Sequence, residues 1–257
     1  MDWSAKQYVK FEDERTRPAR DLLAAVPTRD PRRVVDLGCG PGNTTELLLQ
    51  TFPKAEILGL DSSPDMITNA RARLRSITFE VADLTTWRPD PAAPVDIIYS
   101  NAVLQWVQGH EAIMPRLLGL LPEGGSLAIQ MPDNLGEPSH VAMREAARQG
   151  PWAARLAAAD GARTPLGAPA WYYGLLTSHA RRVDVWRTVY HHPLDGVDGI
   201  VEWFKGSGLR PYLAALEPAE RDAYLDVYRA LITPHYPAAP DGKVLLAFPR
   251  LFIVATR

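Results

Sequence analysis

A chain of 257 residues can bury a full core without covalent staples, and 46% hydrophobic with 23% charged residues is an ordinary balance for a globular protein. A formal charge of −2 supplies no attraction to nucleic acid or to an anionic membrane, and the single cysteine, Cys39, excludes an intramolecular disulfide framework. No apolar run approaches the roughly 18 residues of a membrane span, and the opening Met1-Asp2-Trp3-Ser4 lacks a targeting pattern, so a cytoplasmic protein is expected.

In chain order, residues 34–37 form a short apolar strand running into Gly38-Cys39-Gly40-Pro41-Gly42, with Asp36 two positions before the first glycine. Such a turn suits a nucleoside cofactor. Gly38 and Gly40 let the backbone bend sharply and approach a ligand, and Asn43 opens a helix whose first N–H groups face it. A dinucleotide fingerprint places its third glycine where Asn43 stands, whereas Gly42 comes one residue early, which points to a ligand without a pyrophosphate. Further strands are expected at 57–60, 77–81, 95–99 and 126–130, and their alternation with helical stretches predicts a parallel α/β sheet with helices on both faces. Ser63-Pro64 reads as a helix cap and first turn, and Pro122 to Gly125 as a turn. Residues 137–180, rich in alanine, arginine, proline and aromatics, read as an inserted helical segment. A strand at 183–190, helices near 196–205 and 217–233, and a strand at 244–255 broken at Pro249 complete the pattern.

Carboxylates recur at the strand ends. Asp61 lies 23 residues after Gly38, where a Rossmann-like protein holds ribose hydroxyls, and Asp83 with the Leu84 backbone is placed to hold an adenine amino group. Each alone reads equally well as a turn cap; Asp36, Asp61 and Asp83 together read as a site.

The segments Asp36 to Gly42, Gly59 to Met66, Ala82 to Leu84 and Ser100 to Trp106, in this order, resemble the class I S-adenosylmethionine-dependent methyltransferases over residues 30–131. The resemblance implies a Rossmann-like sheet of seven mostly parallel strands, the last antiparallel, with S-adenosyl-L-methionine as cofactor. It further implies that Asp36 with Gly38, Cys39 and Gly40 holds the methionine amino group, Asp61 the ribose, Asp83 and Leu84 the adenine, and Asn101 the methionine end, with Ser62, Met66 and Gln105 as further cofactor contacts. Trp3 to Tyr8, Glu14 to Ala19, Gln130 to Asn134, Trp203 with Gly208 to Pro211, and Leu246 to Ile253 extend the similarity to a branch that methylates a carboxylate of trans-aconitate, a small polycarboxylate. The expected organisation is one methyltransferase domain: an N-terminal lid at 1–30, a cofactor core at 31–131, the helical insertion at 132–181 and a substrate-side part at 182–257.

A sulfonium methyl is already activated and a carboxylate is already ionised near neutral pH, so this chemistry needs alignment and desolvation and no catalytic base. It does need cations and donors for the acceptor's other carboxylates, and arginine suits their planar geometry. Arg250 shares a strand face with Phe248, Phe252 and Val254 and calls for a carboxylate, either the ligand's or an internal one. Arg187, on a face with Val183, Val185 and Val189, is a second candidate, with an exposed rim position as its other reading. Arg210, in a Gly-Leu-Arg-Pro loop, either reaches a pocket or caps the preceding helix. Arg15 and Arg17 are candidates for the lid, with Tyr8 either capping the cofactor or packing as a helix aromatic. His140, after the fifth strand, faces substrate or lies on a surface helix.

Cys39 reads as packing, Trp106 and Trp186 as core, and the adjacent His191 and His192 as pointing to opposite strand faces, so no metal is expected. The other readings are a hydroxyl acceptor with a base near Gln105 or His140, a non-catalytic cofactor binder, and a nicotinamide-dependent oxidoreductase, which the absent third glycine disfavours.

Overall fold

The computed structural model describes residues 12–161 and 163–257. Helix α1 (Glu12–Ala24) leads into β1 (Arg33–Leu37), α2 (Asn43–Thr51), β2 (Glu56–Asp61), α3 (Pro64–Arg73), β3 (Thr78–Val81) and β4 (Ile97–Asn101). A 3-10 turn (Leu104–Trp106), α4 (His110–Gly119) and β5 (Ser126–Pro132) follow. Helices α5 (Pro138–Gln149), α6 (Ala153–Asp160) and α7 (Pro169–Thr177) precede β6 (Arg182–Leu194), and α8 (Gly196–Lys205), α9 (Arg210–Ala215) and α10 (Pro218–Ile232) precede β7 (Val244–Thr256).

The strands form one seven-stranded sheet in the order β3-β2-β1-β4-β5-β7-β6. Strands β1 to β5 pair in parallel, while β7 runs antiparallel between β5 and β6. Because β1 is flanked by β2 on one side and β4 on the other, the winding reverses there, and the crevice beyond the carboxyl ends of these strands is where a doubly wound sheet binds its ligand. The central strands are apolar on both faces, as burial under helices on each side requires: β5 is buried at every residue. Ile98, Leu117, Leu127 and Leu251 belong to the core of one face, and Leu22, Val34, Leu48 and Phe252 to that of the other. A third core, with Trp152, Trp203, Phe204, Tyr224 and Phe248, joins α5, α6, α8 and α10 to the start of β7.

Local expectations mostly hold, with three corrections. Ser63 Oγ accepts the Met66 N–H (3.4 Å) with Pro64 at the first helical position, as the cap reading requires. The fourth strand occupies Ile97–Asn101 and not 95–99; Asp96 just before it bonds to β1 and β5 through its N–H (to the Arg33 carbonyl, 3.0 Å) and carbonyl (from the Ser126 N–H, 2.9 Å), and its Oδ2 accepts the N–H groups of Arg32 (2.7 Å) and Arg33 (3.0 Å). Strand β7 is not broken at Pro249, which pairs in register with Val189. Proline is tolerated there because its missing N–H falls on the side where β5 has already ended, and its carbonyl accepts the Asp133 N–H (2.9 Å). Arg210 is no loop residue but opens α9. Among the described residues no helix is long and apolar enough to cross a membrane.

Candidate functional site

A cleft of about 460 Å³ lies over the carboxyl ends of β1, β2 and β4. The glycine turn forms its floor. Gly38 has φ +83°, and a Cβ there would sit 2.2 Å from a Val103 methyl, so both backbone conformation and close approach demand glycine. Gly42, at φ +91°, is the residue on which α2 starts. Cys39, Ser62, Met66 and Leu84 also line the cleft. Burial, then the charges of Asp36 and Asp61, push the Cys39 thiol far above its usual range, which removes it as a nucleophile.

The three aspartates differ in what they have left to offer. Asp61 Oδ2 accepts the Gly40 N–H (3.0 Å) and Oδ1 the Ser63 N–H (2.9 Å), so this carboxylate ties the glycine turn to the start of α3 and still fronts the cleft. Asp83 Oδ1 accepts from the Thr85 N–H (2.8 Å) and hydroxyl (2.7 Å), bonds that hold its carboxyl below the usual range. Asp36 lies behind the turn, fully buried; the Thr45 hydroxyl donates to Oδ2 (2.6 Å), while Oδ1 has no partner among the described residues. Burial pushes its pKa up to about 7, with the Thr45 bond opposing and Asp61 adding to the shift. Asn101 Oδ1, at the end of β4, is likewise buried without a partner among the described residues. A buried unpaired acceptor is costly unless a ligand donor completes it, so Asn101 Oδ1, which borders the cleft, fits the amino-acid end of the implied cofactor, whereas Asp36 stands behind the cleft wall and is not among its lining residues.

A second, smaller cavity of about 90 Å³ shares Asn101, Ala102 and Trp106 with the cleft. Ala102, at φ +59°, is the one non-glycine residue with positive φ among the described residues, a strained backbone at the wall between two spaces. The far side carries Arg250, His140 and Arg163. Arg250, buried on β7, donates from Nη1 to Gln130 Oε1 (3.0 Å), with Cζ 4.7 Å over the Phe248 ring. His140 is buried on α5, edge-on to Phe204, and burial, followed by the Arg163 and Arg144 charges, lowers its pKa to about 3. Trp106, His140, Arg163 and Gly208 also border a larger cavity of about 690 Å³ formed largely by the segment after β5.

Several candidates fall outside the cleft, or outside all of these spaces. Gln105 borders the small cavity and not the cleft, its Nε2 donating to the Ala102 carbonyl (2.6 Å). Arg187 is half-exposed and ion-paired with Asp133 Oδ2 (2.7 Å), and Arg17 lies 5.2 Å over the Tyr190 ring. Arg210 lines none of the cavities described here. Tyr8 and the Arg15 side chain lie outside what the structure describes. His191 is exposed while His192 is buried against Trp203 (4.5 Å), and no group of three metal-ligating side chains occurs among the described residues. Trp186 stacks on Phe252 (4.8 Å), whereas Trp106 stands between the cavities and is not core. Arg163 escaped the sequence reading; its one local signal is an arginine placed between Gly161 and Pro165 at the end of an alanine-rich stretch.

Sheet order, glycine turn and strand-end carboxylates define a methyltransferase fold, and a family model described as a methyltransferase domain matches residues 34–125. A phosphoethanolamine N-methyltransferase of Haemonchus contortus, solved with phosphomonomethylethanolamine and S-adenosylhomocysteine, shares this fold with a TM-score of 0.56 at 14% identity, over 93% of this chain and 52% of that one. The trans-aconitate 2-methyltransferases of Rhodopseudomonas palustris (strain BisB18) and Methylobacterium nodulans are each 54% identical over 256 residues, covering 100% of this chain and 99% and 98% of theirs. The chain belongs to the trans-aconitate 2-methyltransferase family.

Proposed function

We propose that the protein is an S-adenosylmethionine-dependent carboxyl O-methyltransferase that converts trans-aconitate to its monomethyl ester, releasing S-adenosylhomocysteine. The observation that carries this reading is the wall of Asn101, Ala102 and Trp106 shared by the donor cleft and an arginine-bearing cavity, which sets donor and acceptor side by side.

The bound donor supplies a methyl group on a positively charged sulfur. Asn101 Oδ1 would take up its amino-acid end, with the Asp36 carboxyl behind the glycine turn facing its ammonium charge, Asp61 would hold the ribose and Asp83 with the Leu84 backbone the adenine, while Gly38 and Gly40 allow the close approach. Ser62, Met66 and Cys39 complete the cleft. On the other side Arg250 neutralises an acceptor carboxylate, and the apolar Trp203, Phe204 and Phe248 displace water around it. Residues 31–131 thus serve the donor, and 132–181 with 182–257 the acceptor.

His140 supports a carboxylate over a hydroxyl acceptor. An imidazole whose pKa is lowered to about 3 is a weak base near neutral pH, so it orients and does not deprotonate. The lone cysteine, buried and unbridged, suits a reducing setting such as the cytoplasm, and the small net charge suits a small-molecule partner. Incubation with methyl-labelled donor and trans-aconitate is expected to yield the labelled monomethyl ester. Donor binding without transfer to trans-aconitate or to related small polycarboxylates would overturn the reading.

A further inference from the structure

Arg163, between α6 and α7, borders both the small cavity and the large one. Among the described residues its guanidinium bonds to neutral oxygens, the Pro132 carbonyl from Nη2 (3.1 Å) and Asn134 Oδ1 from Nη1 (3.3 Å), with Cζ 5.2 Å over the Trp106 ring. Its Nε is buried and has no hydrogen-bond partner among the described residues. Among the described residues no carboxylate pairs with it: Asp133, whose charge does reach it, is held by Arg187 at 2.7 Å. A guanidinium sequestered among neutral groups pays the desolvation cost of an ion without the return of a counter-ion. That arrangement is sensible where a ligand brings the carboxylate, and Arg250 faces the same small cavity.

We propose that Arg163 sets acceptor specificity by binding a second carboxylate of the polycarboxylate while Arg250 holds another, which turns the remaining carboxylate toward the wall of Asn101, Ala102 and Trp106. The Nε–H and an Nη–H form the planar fork that a carboxylate matches with both oxygens. The stacked Trp106 also borders the donor cleft, so the grip on the second carboxylate is registered against the donor. The role rests on the trans-aconitate reading above.

The test compares the wild-type chain with Arg163→Gln and Arg163→Lys. Methyl transfer is followed kinetically, and trans-aconitate binding is measured by calorimetry on protein saturated with S-adenosylhomocysteine. Arg163→Gln is expected to raise the KM and Kd for trans-aconitate by roughly 10- to 100-fold, as loss of a charge-assisted contact does, with kcat also lowered because the remaining carboxylate is no longer aimed at the donor, and the affinity for S-adenosylhomocysteine unchanged. Arg163→Lys, which keeps the charge and loses the fork, is expected to recover part of that loss. Unchanged trans-aconitate affinity in Arg163→Gln, or a parallel loss of S-adenosylhomocysteine affinity in both variants, would overturn the assignment and make Arg163 a neutral or merely structural part of the wall. A wild-type protein that neither binds nor methylates trans-aconitate would overturn the functional reading itself, and this inference with it.

Discussion

On the proposed reading, Asp36 couples a proton to donor binding. Its carboxyl pKa is raised from 3.8 to about 7, so in the ligand-free protein it is protonated below neutrality. An ammonium group bound at the glycine turn in front of Asp36 favours the ionised form, so binding below about pH 7 is opposed by the proton it displaces. Donor affinity is therefore expected to fall as pH drops, approaching tenfold per unit below about 7, and Asp36→Asn should flatten this dependence while weakening binding by roughly 10- to 100-fold. Titration of S-adenosylhomocysteine binding between pH 5.5 and about 8 checks it. For the empty protein the sign is opposite: a raised folded-state pKa means that the native form holds the proton more tightly than the unfolded chain. Its stabilising contribution is present below 3.8 and is lost as pH rises toward about 7. The strand-end aspartates were legible in the sequence because their spacing follows the sheet's period. Arg163 was not, because its neighbours Trp106, Pro132 and Asn134 are remote in the chain and meet only in the folded insertion.

At the scale of elements, the turn between β1 and α2 separates two demands on glycine. Gly38 combines φ +83° with Val103 methyls inside contact distance, whereas Gly40 has φ +53° and nothing within 4 Å of its Cβ position. Gly40→Ala is expected to cost only the left-handed backbone penalty of about 1 to 2 kcal/mol. Gly38→Ala adds displacement of a β-branched side chain and should reach about 3 to 4 kcal/mol, with weakened donor binding. Denaturant unfolding of the two variants checks the order, and equal losses would mean that the Val103 contact relaxes freely. The strands and the glycine turn were readable because apolar runs and punctuation are local. Pro249 was misread for the same reason: whether a proline breaks a strand depends on what lies beside it, and only the sheet register shows β5 stopping opposite Arg250. The short α9 was hidden by its Gly-Leu-Arg-Pro start, which resembles a loop.

Over the whole molecule a charge of −2 hides an uneven distribution. Among the described side chains, the cavity of about 690 Å³ is bordered by Arg144, Arg148 and Arg163 and by one acidic residue, Asp133, which is ion-paired with Arg187. A concave basic wall concentrates anions and guides them inward, an effect that salt screens. kcat/KM for trans-aconitate is expected to fall by about tenfold between roughly 0.02 and 0.3 M salt, while KM for the donor, which carries no comparable negative charge, stays nearly constant. Steady-state kinetics across that range would decide, and equal sensitivity for both substrates would contradict the distribution. The overall class was legible because alternating strands and helices fix the sheet; the charge map was not, because a net count averages over a surface that folding divides.

The position of β7 between β5 and β6 also has a kinetic meaning. The pair Ser126↔Thr256 joins residues 130 apart, so this part of the sheet closes by a long-range encounter. Loop-closure entropy makes such a step slow, and until it happens the apolar edge of β5 stands open to pairing with other chains. During synthesis the five parallel strands emerge first, leaving a nascent chain whose nucleotide-type crevice can form while Arg250 has no place to stand. The strand that carries Arg250 is also the one that covers the open side of β5, so the proposed acceptor cavity and the pairing of β5 are completed by the same late step.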